Sequence, residues 1–357
     1  MKKTTKFFII IIASIICCIV FSTGRIYGLI GPGDLFPEMD FDITLNKTAQ
    51  KYLKTKKGRE ISLSDIKADI IMIEVLSVYC VSCMSQTSYD RELFLMIEDN
   101  ENTAGKVKMI GIAAGNNMRE VNKFVEEFNV PYPVFPDFKF SKYDQIGQVR
   151  TPFKIFLLKR PDNKFQVMKT ELGVNENVKD TFDTIVDILE GKHYLDKKIE
   201  TAATEPKPID QAWIDNLLKE WLTLRGETIS IKELFEDSGR IVYKIGSKED
   251  IFAILINRPS TCDVCEHVQF IYMIDRLGTV LDLIPIKLSK LYNASFDEND
   301  IIKIKKGLIA RNVREGITFT PQVDAISSAT ITSVLVYDSI NKGAKIYDLL
   351  LERGFIQ

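Results

Sequence analysis

Ile70-Ile71-Met72-Ile73-Glu74-Val75-Leu76 runs through Ser77-Val78-Tyr79 into Cys80-Val81-Ser82-Cys83. A block of strand-forming residues here gives way to an amphipathic helix, with a Cys-x-x-Cys at the junction. Two thiols separated by two residues at a helix N-terminus can close a small disulfide ring. The helix dipole and the unpaired amides favour a thiolate at the first cysteine. Half of a zinc site and a structural disulfide are the alternatives. Zinc needs two more ligands, and apart from the N-terminal segment no His or Cys lies within about a hundred residues on either side. The pattern therefore reads as a redox-active dithiol.

Outward from the dithiol, strands and helices alternate. A helix is expected from Cys83 to about Glu98, then a buried strand Val107 to Ala113. A helix with apolar positions Val121, Phe124, Val125 and Phe128 follows, then a short strand at Val134-Phe135. Arg150-Thr151-Pro152 precedes an apolar strand from Phe153 to Leu158, which forms a hairpin with Phe165 to Thr170. Val178 to Leu189 closes the unit as an amphipathic helix. Alternation of this kind predicts an α/β sandwich over residues 35–190.

The chain has 357 residues, 45% hydrophobic, enough for two ordinary domains. With a net charge of −2, no nucleic-acid partner is implied. Lys2, Lys3 and Lys6 precede an apolar run from Phe7 to Phe21, followed by Ser22-Thr23-Gly24. Residues 1–24 thus read as a signal peptide or an uncleaved N-terminal anchor, and the rest as exported. Cys17 and Cys18 within that run read as apolar filler rather than as lipid acceptors, because Ile16 and Cys17 are poor pre-cleavage residues. The remaining cysteines form two close-spaced pairs, Cys80/Cys83 and Cys262/Cys265, which suits a compartment where disulfides form and exchange. Only two histidines exist, His193 and His267, against a His-rich metal centre.

Composition turns polar over residues 191–210, with Ala202-Ala203-Thr204-Glu205-Pro206-Lys207-Pro208, and this reads as a linker. A second domain is expected over 211–357. It opens with a helix around Trp213 to Leu224 and continues with strands at Ile241 to Ile245 and Ile251 to Ile256. Val268 to Asp275 and Val280 to Lys287 form a hairpin through Leu277-Gly278-Thr279. A helix from Ile331 to about Asn341 and a C-terminal helix complete it. Trp213, Trp221 and the Lys303–Lys306 stretch read as core and solvated face.

The first domain resembles the exported thioredoxin-like family typified by TlpA and its redoxin relatives. The resemblance rests on the strand–Cys80-Val81-Ser82-Cys83–helix unit, on Thr151-Pro152 before a strand, and on Glu74 within an apolar strand. It implies a cis proline at Pro152, with the Thr151 backbone exposed to a substrate chain lying across the thiols. It also implies that Cys80 attacks a substrate disulfide and Cys83 resolves the intermediate. A buried Glu74 would have a raised pKa and take up the proton that Cys83 loses; a solvent-facing strand residue is the alternative. The sequence departs from the family in having Tyr79 where Trp is usual and no Pro between the cysteines. Leu76 to Tyr79 lack the Pro and Thr of a peroxiredoxin, so peroxide reduction is the weaker activity.

Asp324-Ala325-Ile326-Ser327-Ser328-Ala329-Thr330 resembles the attachment sequence of exported FMN-binding domains. Those occur in flavin-carrying subunits of the Rnf and sodium-pumping NADH:quinone oxidoreductase complexes. The resemblance implies an α+β FMN-binding-like domain, with FMN esterified through its phosphate to Thr330 and Asp324 opening the motif. Small residues let the backbone approach a phosphate, and free amides at the following helix start neutralise it. Ser328 stands where such families usually have Gly. Without a flavin, Ser327 and Thr330 would serve as helix caps.

Cys262-Asp263-Val264-Cys265 reads either as a structural disulfide or as a relay between the first dithiol and a flavin. The whole chain reads as an exported thiol–disulfide oxidoreductase acting on a protein or small-molecule disulfide or dithiol, possible alternatives being a flavoprotein electron carrier and a non-catalytic docking protein of a membrane redox complex.

Overall fold

The computed structural model describes residues 29–43, 45–55, 60–192, 208–247, 250–261 and 266–356. In chain order the strands are β1 (Asp40–Asp42), β2 (Glu60–Ser62), β3 (Ile70–Leu76), β4 (Val107–Ala114), β5 (Val134–Asp137), β6 (Phe153–Lys159) and β7 (Phe165–Leu172). They continue with β8 (Ile231–Asp237), β9 (Arg240–Ile245), β10 (Ile251–Arg258), β11 (Val268–Ile274) and β12 (Val280–Lys287).

The first unit is built on a sheet of order β5-β4-β3-β6-β7. β3 pairs parallel with β4 and antiparallel with β6, so the strand bearing Glu74 lies at the centre. Every residue of β3 and β4 is buried, as a strand covered on both faces requires. Successive side chains alternate between the two faces. Ile70, Met72 and Leu76 pack with Leu93, Phe124 and Ile185 from the helices Val81–Asp99, Met118–Glu127 and Val178–Leu189. Ile71, Ile73 and Val75 pack on the other face, in a core that includes Phe41, Phe140 and Tyr143. Residues before β1 run along the sheet edge, where Gly33 N–H donates to Val167 O and Phe36 N–H to Phe165 O. This is a thioredoxin-like α/β unit.

The second unit is an antiparallel meander of order β12-β11-β10-β9-β8. The helix Gln211–Leu224 covers one face through Ile214, Leu218, Trp221 and Leu222. The helices Glu298–Leu308, Thr330–Asn341 and Gly343–Glu352 lie against the other. Gly343 permits that approach, because a Cβ there would sit 2.4 Å from the Tyr272 hydroxyl. Gly278, at φ +84°, makes the turn between β11 and β12. The sheet-and-helix organisation is α+β.

The apolar core of this second face is continuous with that of the first unit: one cluster contains Ile73, Phe140 and Tyr143 together with Phe252, Val334 and Ile340. Trp221 is core, and its indole N–H donates to Asp282 at 2.9 Å. Trp213 is not: it is 44% exposed, about two turns earlier on the same helix. In the Lys303–Lys306 stretch the lysines face solvent while Ile304 is buried.

Candidate active site

Cys80 is the N-cap of the Val81–Asp99 helix, and its sulfur accepts the Cys83 N–H at 3.4 Å. The amide and the helix terminus both stabilise negative charge on that sulfur. On its other side Cys80 Sγ lies 3.5 Å from the Thr151 carbonyl oxygen. The loop before it is anchored from below, Val78 N–H donating to Asn116 Oδ1 at 3.0 Å and Cys80 N–H to the Ser77 carbonyl. Cys80 and Cys83 are 0% and 2% exposed. The Thr151-Pro152 peptide is cis. Tyr79 is half-buried, and burial together with its hydrogen bond to Glu120 keeps its phenol protonated well above the ordinary range.

Behind the dithiol lies a buried polar cluster. Glu74 shares a face of β3 with Met72 and Leu76, and Lys154 is its direct cross-strand partner on β6. Lys154 Nζ is 3.4 Å from Glu74 Oε2 and 3.3 Å from Asp90 Oδ1, all three side chains being 2% exposed. Asp90 also accepts from Gln86 Nε2 at 2.7 Å and from the Tyr132 hydroxyl at 3.0 Å. Burial raises the pKa of Glu74, against the opposing pull of the Lys154 ammonium. Burial also pulls Lys154 down, but Glu74 and Asp90 outweigh it and the amine stays protonated. Neither oxygen of Glu74 has a hydrogen-bond donor within reach, whereas Asp90 accepts from two. Tyr132 connects the cluster to the thiols: after burial, the charges of Asp90, Glu74 and Cys83 all oppose its ionisation.

Glu74, Cys80, Cys83, Thr151 and Pro152 are thus brought to one end of the first sheet. Lys154, Asp90, Gln86 and Tyr132 were not read from the sequence. A lone lysine in the apolar run Phe153 to Leu158 was the available signal for Lys154. Gln86 and Asp90 stand three and seven residues after Cys83, on its face of the helix.

In the second unit, Ser327 and Ser328 are exposed, Asp324 and Thr330 half-buried and Ala329 buried. Ser328 has φ +59°, the left-handed region that favours the glycine usual in covalent FMN domains. Neither Ser327 nor Thr330 caps the following helix: Ala329 is its N-cap, with no side-chain cap bond. Ser333 Oγ instead accepts the Ile326 N–H and donates to the Ala329 carbonyl. Asp324 accepts the Thr320 N–H at 2.6 Å and a hydrogen bond from Tyr337. An uncapped helix start beside small residues fits a phosphate.

Cys262 and Cys265 lie outside the described residues. Their neighbour Thr261 does not, and its carbonyl accepts from Thr151 N–H at 2.6 Å. Among the described residues, no group of His, Cys, Asp and Glu is placed to hold a metal ion. No described helix is long and apolar enough to cross a membrane; the N-terminal apolar run lies outside the described residues.

No family model matches this chain, and no curated protein matches it. Solved structures do. The thioredoxin domain of a thiol-disulfide oxidoreductase from Bacteroides vulgatus is 16% identical, with a TM-score of 0.34, over 45% of this chain and 99% of that one. A secreted thiol-disulfide isomerase from Corynebacterium glutamicum is 19% identical, TM-score 0.34, over 47% and 95%. StoA from Bacillus subtilis is 14% identical, TM-score 0.31, over 43% and 98%.

Proposed function

We propose that the chain is an exported thiol–disulfide oxidoreductase whose working group is the Cys80/Cys83 dithiol. The observation that carries this is the Cys83 N–H on the Cys80 sulfur at 3.4 Å, at a helix N-terminus. Reduced, the Cys80 thiolate attacks a disulfide; a Cys80–S bond forms and the substrate's second sulfur leaves as a thiolate. Cys83 then attacks the Cys80 sulfur, closing the Cys80–Cys83 ring and releasing the other substrate sulfur. The proton that Cys83 gives up passes to the buried Glu74 cluster, whose raised pKa brings it towards working pH. Export is supported by the N-terminal lysines and apolar run. The substrate is a protein or small-molecule disulfide, or the matching dithiol in the reverse direction.

An FMN on Thr330 belongs to the same reading. Ser327, Ser328, Ala329 and the helix start at Thr330 would hold its phosphate, with Asp324 nearby in the motif. The bound flavin would supply electron transfer to a membrane redox partner.

The test is reduction of a disulfide substrate by the full chain. Cys80→Ala is expected to abolish it, and Cys83→Ser to leave a trapped mixed disulfide. Full activity in the Cys80→Ala protein rules the reading out. An intact-mass spectrum of protein from its native envelope tests the flavin, with the added mass expected to vanish in Thr330→Val.

A further inference from the structure

Cys80 is wholly buried, yet Val81 directly after it is 44% exposed, so the dithiol lies close under the surface of the first unit. The second unit lies over it. Thr151 donates twice to a single acceptor, the Thr261 carbonyl: through N–H at 2.6 Å and through its hydroxyl at 2.7 Å. The carbonyl of the same Thr151 stands 3.5 Å from Cys80 Sγ. An acceptor on the Thr151 N–H therefore sits beside the attacking sulfur, on ground that an incoming substrate must cross.

Side chains complete the cover. Among the described residues, Ile331 is the second-unit side chain packed against the apolar cluster that holds Val78, Cys80 and Cys83, whose other members all belong to the first unit. Thr261, Ile331 and Val334 close with Ser77, Tyr79 and Phe140 around a space that admits no water. Farther out, Lys342 Nζ meets Asp144 at 2.7 Å across the junction of the two units. Arg258 and Lys342 each lie 5.7 Å from the centroid of the Phe140 ring. Ile331 itself stands in the first turn of a helix whose N-cap, Ala329, makes no side-chain cap bond, so that turn is tied down less than a capped one.

We propose that the second unit is a built-in cover over the dithiol, the Thr261 carbonyl standing where a substrate backbone would, so that Cys80 reacts only when that carbonyl and the Ile331 turn lift from it. The proposal rests on the dithiol reading above and adds its regulation. The consequence is kinetic. Any reagent meets Cys80 at the rate of the open form multiplied by the fraction of molecules that are open. Disulfide substrates and alkylating agents are slowed alike.

The test uses the full chain, reduced, with iodoacetamide as the probe. Modification of Cys80 is mapped by mass spectrometry after an acid quench and digestion, and reduction of a model peptide disulfide is followed alongside. Ile331→Asp sets a carboxylate against the apolar surroundings of the dithiol, in a first helical turn that favours an acid. Its Cys80 is expected to alkylate at least tenfold faster than wild type, and peptide reduction to rise with it. Equal alkylation rates in a folded Ile331→Asp protein overturn the proposal. Faster alkylation with no peptide reduction in either protein leaves the cover standing and removes the dithiol reading. Asp144→Lys, which opposes two ammonium groups across the junction, should move both rates the same way by a smaller factor. Should Ile331→Asp fail to fold, unchanged rates in Asp144→Lys overturn the proposal.

Discussion

Glu74 and Lys154 face each other across β3 and β6, carboxyl and ammonium 3.4 Å apart and each 2% exposed. At that separation and without another donor to Glu74, the pair is electrostatic contact rather than a good hydrogen bond. Lys154 divides its charge between Glu74 and Asp90, and Glu171 stands opposite it on β7. One buried ammonium stands among three acids, and the carboxyl with the poorest hydrogen-bond partners is the one whose pKa burial raises. That carboxyl is Glu74, on the dithiol face of the sheet.

Glu74→Gln is expected to slow the resolving step by about 10²-fold, within the range for loss of a positioned acid–base group. The first attack by Cys80 should change much less. Stopped-flow measurement of the two steps separates them, and equal slowing of both would remove Glu74 from proton transfer.

The same residue sets a pH dependence of stability. The folded state holds the Glu74 proton above the ordinary carboxyl value of 4.5, where the unfolded chain has lost it. Stability from this group therefore falls as pH rises from 4.5 towards the raised folded pKa. The Glu74→Gln protein lacks that slope. Urea unfolding from pH 4.5 to 8 should show the variant gaining on wild type as pH rises; a constant difference would contradict the assignment.

Lys154→Met is expected to destabilise by about 3–5 kcal/mol, because it strands buried carboxylates without their cation. Adding Asp90→Asn should recover a large part, since the remaining amide still has Gln86 and Tyr132 beside it. Denaturant midpoints of the single and double variants measure the coupling.

The first sheet was legible because β3, β4 and β6 are long apolar runs, and the dithiol because its spacing falls where such a run ends. The β1–β2 pair was missed: each strand has three residues, too few for a period to show. β8 was missed because it is an edge strand, with Lys232, Glu233 and Glu236 exposed. The Glu298–Leu308 helix was missed as well: it buries just Ile304 and Leu308, and its capping box at Asp297 and Asp300 was the signal to find it by. The contact of Thr151 with Thr261 had no local signal, because the residues are 110 apart and the bond is made by a backbone carbonyl.

Gly115→Ala tests how tightly the junction is packed. A Cβ there would lie 2.4 Å from Phe140 Cζ, and the backbone is at φ +73°. Overpacking and the left-handed penalty together predict a loss of about 2–4 kcal/mol. Because Phe140 also backs Arg258 and Lys342, its displacement should speed Cys80 alkylation in the still-folded protein. Stability loss without faster alkylation would mean that Phe140 repacks without moving the second unit.

Asp338 and Asp144 both hold Lys342, yet removing them should have unequal effects. Asp338 is 10% exposed and also receives Arg258 at 2.7 Å, itself 9% exposed and bonded to Ser339. Asp338→Asn leaves the Arg258 guanidinium buried without its carboxylate, a loss of about 3 kcal/mol. Asp144 is 30% exposed and Lys342 24%, so water screens their pair and Asp144→Asn should cost under about 1 kcal/mol. The ranking of the two unfolding midpoints is the measurement. A larger loss at Asp144 would place the electrostatic anchor of the junction at Lys342 rather than at Arg258.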